Sequence, residues 1–216
     1  MNILILNASP RPKGTLSTHL ESISRELSRK GHRVVKLDIS RLHFAPCTGC
    51  MQCRTRNRCL LPADDTSVVL HHITEADAIL IGSPCYWGNM PGTLKSLFDR
   101  MVYGLIETPR SPFRLPRGRL KGKRALLLIT STAPSPFHLL AHQARGTASA
   151  LRHILRSAGL RPIRVCYRPG TTRSHVTPQE LKRYTARAVR FLTSGKRHFQ
   201  KRAPGTGQEP NPMAPA

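Results

Sequence analysis

A change of hydrophobic period, repeated five times, constrains this sequence more than any other feature. Short apolar runs at residues 2–7, 33–38, 77–82, 124–130 and 162–167 read as strands. Between and after them lie segments whose apolar residues recur every three or four positions, as at Leu16, Leu20, Ile23 and Leu27, and these read as helices over 16–30, 66–75, 91–101, 139–158 and 178–192. Gly31 and Gly159 fit helix stops, and Pro91 and Pro178 fit first-turn positions. Five strands alternating with five helices predict an α/β domain in which a parallel sheet is covered on both faces. At 216 residues the chain is long enough to bury one such core without disulfides.

Two stretches break the rhythm, 43–65 with clustered cysteines and 103–123, rich in Pro, Gly and Arg. Excursions of that length in a compact domain are expected to bind something or to move. Residues 1–195 form the expected domain, and 196–216, rich in Pro and without periodicity, read as a disordered basic tail. No apolar run reaches the roughly 18 residues that a spanning helix needs, and the first strand begins without a charged leader, so a soluble cytoplasmic protein is expected.

The first strand ends in Asn7-Ala8-Ser9-Pro10-Arg11-Pro12-Lys13-Gly14-Thr15-Leu16-Ser17. Hydroxyls, an arginine and helix-start amides together make a cradle for a monophosphate, and the alternative is a polar loop that merely caps a helix. Neither G-x-x-x-x-G-K-[ST] nor G-x-G-x-x-G is present, which argues against a triphosphate or dinucleotide loop. The third strand ends in Gly82-Ser83-Pro84-Cys85-Tyr86-Trp87-Gly88-Asn89-Met90-Pro91. Its adjacent aromatics can stack on a flat ligand at the carboxyl ends of the strands, or else form a hydrophobic lid or subunit contact.

Ser9-Pro10-Arg11 with Thr15 and Ser17, followed by Pro84-x-Tyr86-Trp87-Gly88-Asn89 and Leu94-Lys95-x-x-x-Asp99-Arg100, resembles the NADPH-dependent FMN reductase branch of the flavodoxin-like superfamily over roughly residues 1–195. The resemblance implies a doubly wound five-stranded sheet of order 2-1-3-4-5. It implies an FMN phosphate on Ser9, Arg11, Thr15, Leu16 and Ser17, and a flavin ring beside Pro84, Tyr86, Trp87, Gly88 and Asn89. A third loop after the fourth strand, with Ser131 and Thr132, would close the site. Leu16 stands where many relatives carry Asn, so a side-chain contact to phosphate is lost there while the amide remains.

Cys47-x2-Cys50-x2-Cys53-x5-Cys59 places three thiols at a spacing that wraps three corners of a cubane, with a fourth thiol to complete it. The segment is similar to the compact motif of iron-sulfur flavoproteins, which implies a [4Fe-4S] cluster. Zinc and free thiols are the competing readings, and zinc sites more often use two separated cysteine pairs. The resemblance further implies an NAD(P)H-dependent flavin oxidoreductase whose chemistry resides on FMN, without a catalytic side chain, and a homodimer or homotetramer. With 35 Lys and Arg against 11 Asp and Glu, the formal charge is +24. Such a field attracts NAD(P)H phosphates or an acidic redox protein, and no base-reading module accompanies it. The rival from another class is a basic nucleic-acid-binding protein with a zinc-held cysteine loop.

Overall fold

The computed structural model describes residues 1–107, 109, 115–140, 143–172 and 175–194. The expected tail at 196–216 lies outside the described residues, as do 108 and 110–114 of the basic stretch.

Strand β1 is Asn2–Asn7, β2 is Arg33–Asp38 and β3 is Ala78–Pro84. The short strands β4, Ile106–Glu107, and β5, Arg117–Gly118, form an antiparallel ribbon of their own. Strands β6, Arg124–Thr130, and β7, Ile163–Arg168, complete the main sheet, which is parallel throughout with order β2-β1-β3-β6-β7. Without the ribbon this is the order 2-1-3-4-5 expected above.

Helices α1 (Thr15–Arg29), α3 (Asp65–Glu75), α4 (Gly92–Arg100), α7 (Gln143–Ser157) and α8 (Pro178–Thr193) are the five long ones. Short turns of helix occur at α2 (Cys53–Arg56), α5 (Val102–Leu105) and α6 (Phe137–Leu140). Within the range 139–158 expected as one helix, the described residues hold the end of α6 and all of α7, and residues 141–142 between them lie outside the described residues. No helix among the described residues is long and apolar enough to cross a membrane.

Side-chain alternation in the central strands makes two cores. Ile3, Ile5, Leu80, Leu126 and Leu128 face α1 and α8, where Leu16, Leu20, Ile23, Leu27 and Leu192 meet them. Leu4, Leu6, Ile79, Ile81, Leu127 and Ile129 face α3, α4 and α7. Strands buried on both faces explain why these runs are continuously apolar rather than alternating. Helix α1 ends in a Schellman arrangement: Gly31, at φ 76, donates to Ser28 O at 2.9 Å and His32 donates to Leu27 O at 3.1 Å.

The basic stretch is partly structural. Leu105 and Leu120 are buried, and Lys123 Nζ donates to the Ala76 carbonyl at 2.7 Å and to that of Thr74, closing the end of α3.

Candidate functional site: a rim of loops and a cysteine loop

Because β1, β3 and β6 are parallel neighbours, the loops that follow them leave the same edge of the sheet. Backbone hydrogen bonds tie each loop to the next strand. Ala8 N donates to Gly82 O at 2.9 Å, Cys85 N to Thr130 O at 2.8 Å, and Ser131 N to Arg168 O at 3.1 Å. The strand order reverses between β1 and β3, the place where open α/β sheets leave a ligand crevice.

In the first loop Asn7 is the organiser. Its side chain is buried, donates to Ser17 Oγ at 3.1 Å and Asp38 Oδ1 at 2.8 Å, and accepts from Ser9 N at 3.1 Å. Ser9 Oγ in turn accepts from Arg11 N at 3.2 Å, and Ser17 Oγ donates to Arg11 O at 2.8 Å. Helix α1 closes its first bond only at Thr18, whose amide donates to Gly14 O at 3.0 Å. The amides of Thr15, Leu16 and Ser17 therefore stand ahead of the helical ladder, with no acidic residue in that first turn. That combination suits a phosphate. Leu16 is 3% exposed and packs in the core, so its amide alone is offered to a ligand.

The second loop is a two-residue reversal. Tyr86 and Asn89 exchange backbone bonds of 2.8 and 2.9 Å, and the turning residues Trp87 (φ 50) and Gly88 (φ 75) both have positive φ. Trp87 is fully exposed and Tyr86 half exposed, so the loop presents an aromatic surface that the described residues leave largely open. Pro84 forms the strand end, and Asn89 Oδ1 accepts from Met90 N at 2.8 Å. The loop rests on α7 at Gly146, where a Cβ would lie 2.0 Å from Gly88 O.

In the third loop Ser131 is buried and Thr132 exposed. Ser131 Oγ accepts from Ala133 N at 3.2 Å and donates to Gln143 Oε1 at 3.3 Å, and its carbonyl accepts from Thr171 N at 3.1 Å.

A buried polar network behind the rim was not anticipated from the sequence. Arg168 Nε donates to Glu180 Oε1 at 2.8 Å, and His19, 1% exposed, places Nε2 3.4 Å from the same oxygen and Nδ1 2.8 Å from Thr15 O. The network joins the first turn of α1 to the strand end that holds Ser131. Burial pushes the Glu180 carboxyl up, but Arg168, His19 and Arg183 outweigh it and hold that carboxyl below its usual value. The sequence signal was an arginine ending an apolar strand and an acid in the first turn of the next helix.

The cysteine loop lies between β2 and α3. Cys47 and Cys50 are exposed, Cys53 and Cys59 half-buried, and all six cysteines of the chain are free thiols. Burial pushes the Cys53 thiol up, and the neighbouring Cys47, Cys50 and Cys59 sulfurs add to that push, so the four thiols share one neighbourhood. Among the described residues no three His, Cys, Asp or Glu side chains converge as a metal-ligating group. The donor set itself, four thiols on one short loop, suits a metal cluster. Cys85 packs against the α3–α4–α7 core.

Residues 1–192 match the family model described as Flavodoxin-like fold. An iron-sulfur flavoprotein of Archaeoglobus fulgidus is 38% identical over 100 residues, covering 46% of this chain and 48% of that protein. A second iron-sulfur flavoprotein of the same organism is 27% identical over 176 residues, covering 81% of this chain and 71% of its own. The chain spans about half the length of the first curated relatives it matches. Among solved structures, an FMN-dependent NADH-azoreductase from Bacillus anthracis in complex with FMN superposes with a TM-score of 0.67 at 15% identity, covering 89% of this chain and 100% of that one. At that identity the likeness is one of fold.

Proposed function

The chain belongs to the flavodoxin-like fold family, and from that premise we propose that it is an FMN-dependent oxidoreductase that takes electrons from NAD(P)H. The observation that carries this reading is the rim: a phosphate cradle with no acidic residue in the first turn of α1 and an exposed aromatic reversal, on adjacent parallel strands at the switch point of the sheet. The iron-sulfur flavoprotein relatives and the azoreductase likeness support it.

Each part of the chain has a role in that reading. Ser9, Arg11, Thr15 and Ser17, with the Leu16 amide, hold the phosphate. The guanidinium supplies charge, and the amides supply donors that α1 leaves unpaired. Pro84, Tyr86, Trp87, Gly88 and Asn89 orient the flat ring by stacking and by close backbone approach, and Ser131 and Thr132 close the third side. Bound there, the flavin supplies two-electron chemistry with a nicotinamide and one-electron exchange with a metal centre. The protein binds, orients and excludes water, so no acid-base pair is required of it.

We read the cysteine loop as the site of a [4Fe-4S] cluster held by Cys47, Cys50, Cys53 and Cys59, supported by their shared neighbourhood and by the two iron-sulfur flavoprotein relatives. Arg54, Arg56 and Arg58 on the same exposed loop balance the charge of such a centre. The electron partner at the cluster is an acidic redox protein, drawn by the net +24.

The test of the flavin site compares FMN with riboflavin. Ser9→Ala and Arg11→Ala should each weaken FMN by about 1.5 to 3 kcal/mol and leave riboflavin, which has no phosphate, nearly unchanged. Equal losses for the two ligands would place the phosphate elsewhere.

A further inference from the structure

The loop that carries the four thiols leaves the body of the protein and returns through a narrow neck. At that neck His43 N donates to Asp65 Oδ2 at 2.6 Å, and Ala45 N donates to Asp64 Oδ2 at 3.3 Å. A residue from a different element crosses it. Arg100, the last residue of α4, donates from Nη1 to Ala45 O at 2.6 Å and sets Nη2 2.9 Å from Asp64 Oδ2. Its side chain is 2% exposed. Arg100 thus holds the outgoing strand of the loop, two residues before Cys47, and the returning strand at Asp64, where α3 begins.

Two further observations say that this is more than helix capping. Asp64 already caps α3 through Thr66 N at 3.1 Å and Thr66 Oγ1, so α3 does not need Arg100 for its start. The guanidinium is buried at an energetic cost that one ion pair on a loop seldom repays, and its Nε has no hydrogen-bond partner within the described residues. A buried arginine with an unsatisfied N–H fits a place where geometry is held for something else.

Helix α4 gives the clamp its reach. It begins at Gly92, directly after the Trp87 reversal, and ends at Arg100, with Leu94, Leu97 and Phe98 fixed in the core. One rigid bar of about 13 Å, nine residues at 1.5 Å rise, therefore joins the aromatic loop of the flavin rim to the neck of the cysteine loop.

We infer that Arg100 is the positioning residue of the cysteine loop: it closes the neck from the end of α4, and so presents the four thiols as a set at a fixed place relative to the flavin rim. This rests on the cluster reading above for what the thiols hold, and on geometry alone for the clamp. Without the clamp the neck keeps only the His43–Asp65 and Ala45–Asp64 bonds, and ordering the loop around a metal centre carries more of the closure entropy.

The test uses the full chain, prepared anaerobically, as wild type, Arg100→Lys and the charge-balanced double variant Arg100→Met with Asp64→Asn. The double variant leaves no uncompensated charge if the single one folds poorly. Three quantities are read: iron and sulfide per chain, FMN per chain, and hydrogen exchange of the amides between His43 and Asp65. The inference expects iron and sulfide to fall severalfold in both variants, FMN to stay at the wild-type level, and exchange in the loop to rise on the order of tenfold while the central strands stay protected. Wild-type iron and unchanged exchange in both variants would overturn it. If the wild type holds no iron, the cluster reading fails and exchange alone decides the clamp, which unaltered loop protection would overturn.

Discussion

The amide of Tyr86 donates to the carbonyl of Asn89 at 2.8 Å, and the amide of Asn89 returns a bond of 2.9 Å, which forces the chain to reverse through Trp87 and Gly88. Positive φ at both central residues is the geometry for which Asn-Gly is the favoured pair. A tryptophan in the left-handed region costs roughly 1 to 2 kcal/mol, and here its side chain recovers nothing from packing because it is fully exposed. Trp87→Asn should therefore raise the unfolding free energy of the flavin-free protein by about 1 kcal/mol while weakening flavin binding. Denaturant unfolding and a flavin titration on the same variant check both signs, and a variant that is less stable yet binds flavin normally would reverse the assignment.

Gly146 supports the same loop from below. A methyl group there would meet Gly88 O at 2.0 Å, so Gly146→Ala must displace the backbone of the reversal or of α7. Overpacking of that kind costs about 1 to 3 kcal/mol, and the displaced loop should bind flavin more weakly than the stability loss alone explains. Denaturant unfolding gives the first quantity, and titration well below the melting temperature gives the second.

Glu180 makes a pH-dependent contribution. Its carboxyl titrates below the usual value in the folded protein, so its contribution is complete above the unfolded value of about 4.3 and is lost as pH falls through the lowered folded value. Glu180→Gln should destabilise the protein at neutral pH by about 3 kcal/mol, because the buried Arg168 loses the carboxylate charge that its Nε and Nη2 contact. The gap between wild type and variant should narrow only below about pH 4. Chemical denaturation at several pH values measures it, and a constant gap would assign the network no charge role.

Much of the fold was legible because the central strands are buried on both faces, which leaves uninterrupted apolar runs such as Ile3–Leu6 and Leu126–Ile129. The start of α6 at Phe137 was not legible, since the apolar period of α7 continues back only to Leu139 and Leu140. Nor was the β4–β5 ribbon, whose two-residue strands carry no alternation. At the site, motif residues close in sequence were readable. The Arg100 clamp was not, because its carbonyl partner Ala45 lies 55 positions away and backbone carbonyls leave no mark on a sequence. The positive φ of Trp87 was hidden for a different reason: by local preference the residue is the wrong one for its turn.

The central claim is that the rim holds one flavin. Titration of the purified full chain with FMN, followed by absorbance and by quenching of the flavin or of Trp87, the chain's one tryptophan, tests it most directly. The account predicts saturation at about one FMN per chain with micromolar affinity or tighter, together with bleaching of the bound flavin by NAD(P)H under anaerobic conditions. A protein that stays colourless, takes up no FMN at micromolar concentration and leaves the Trp87 emission unchanged would contradict it.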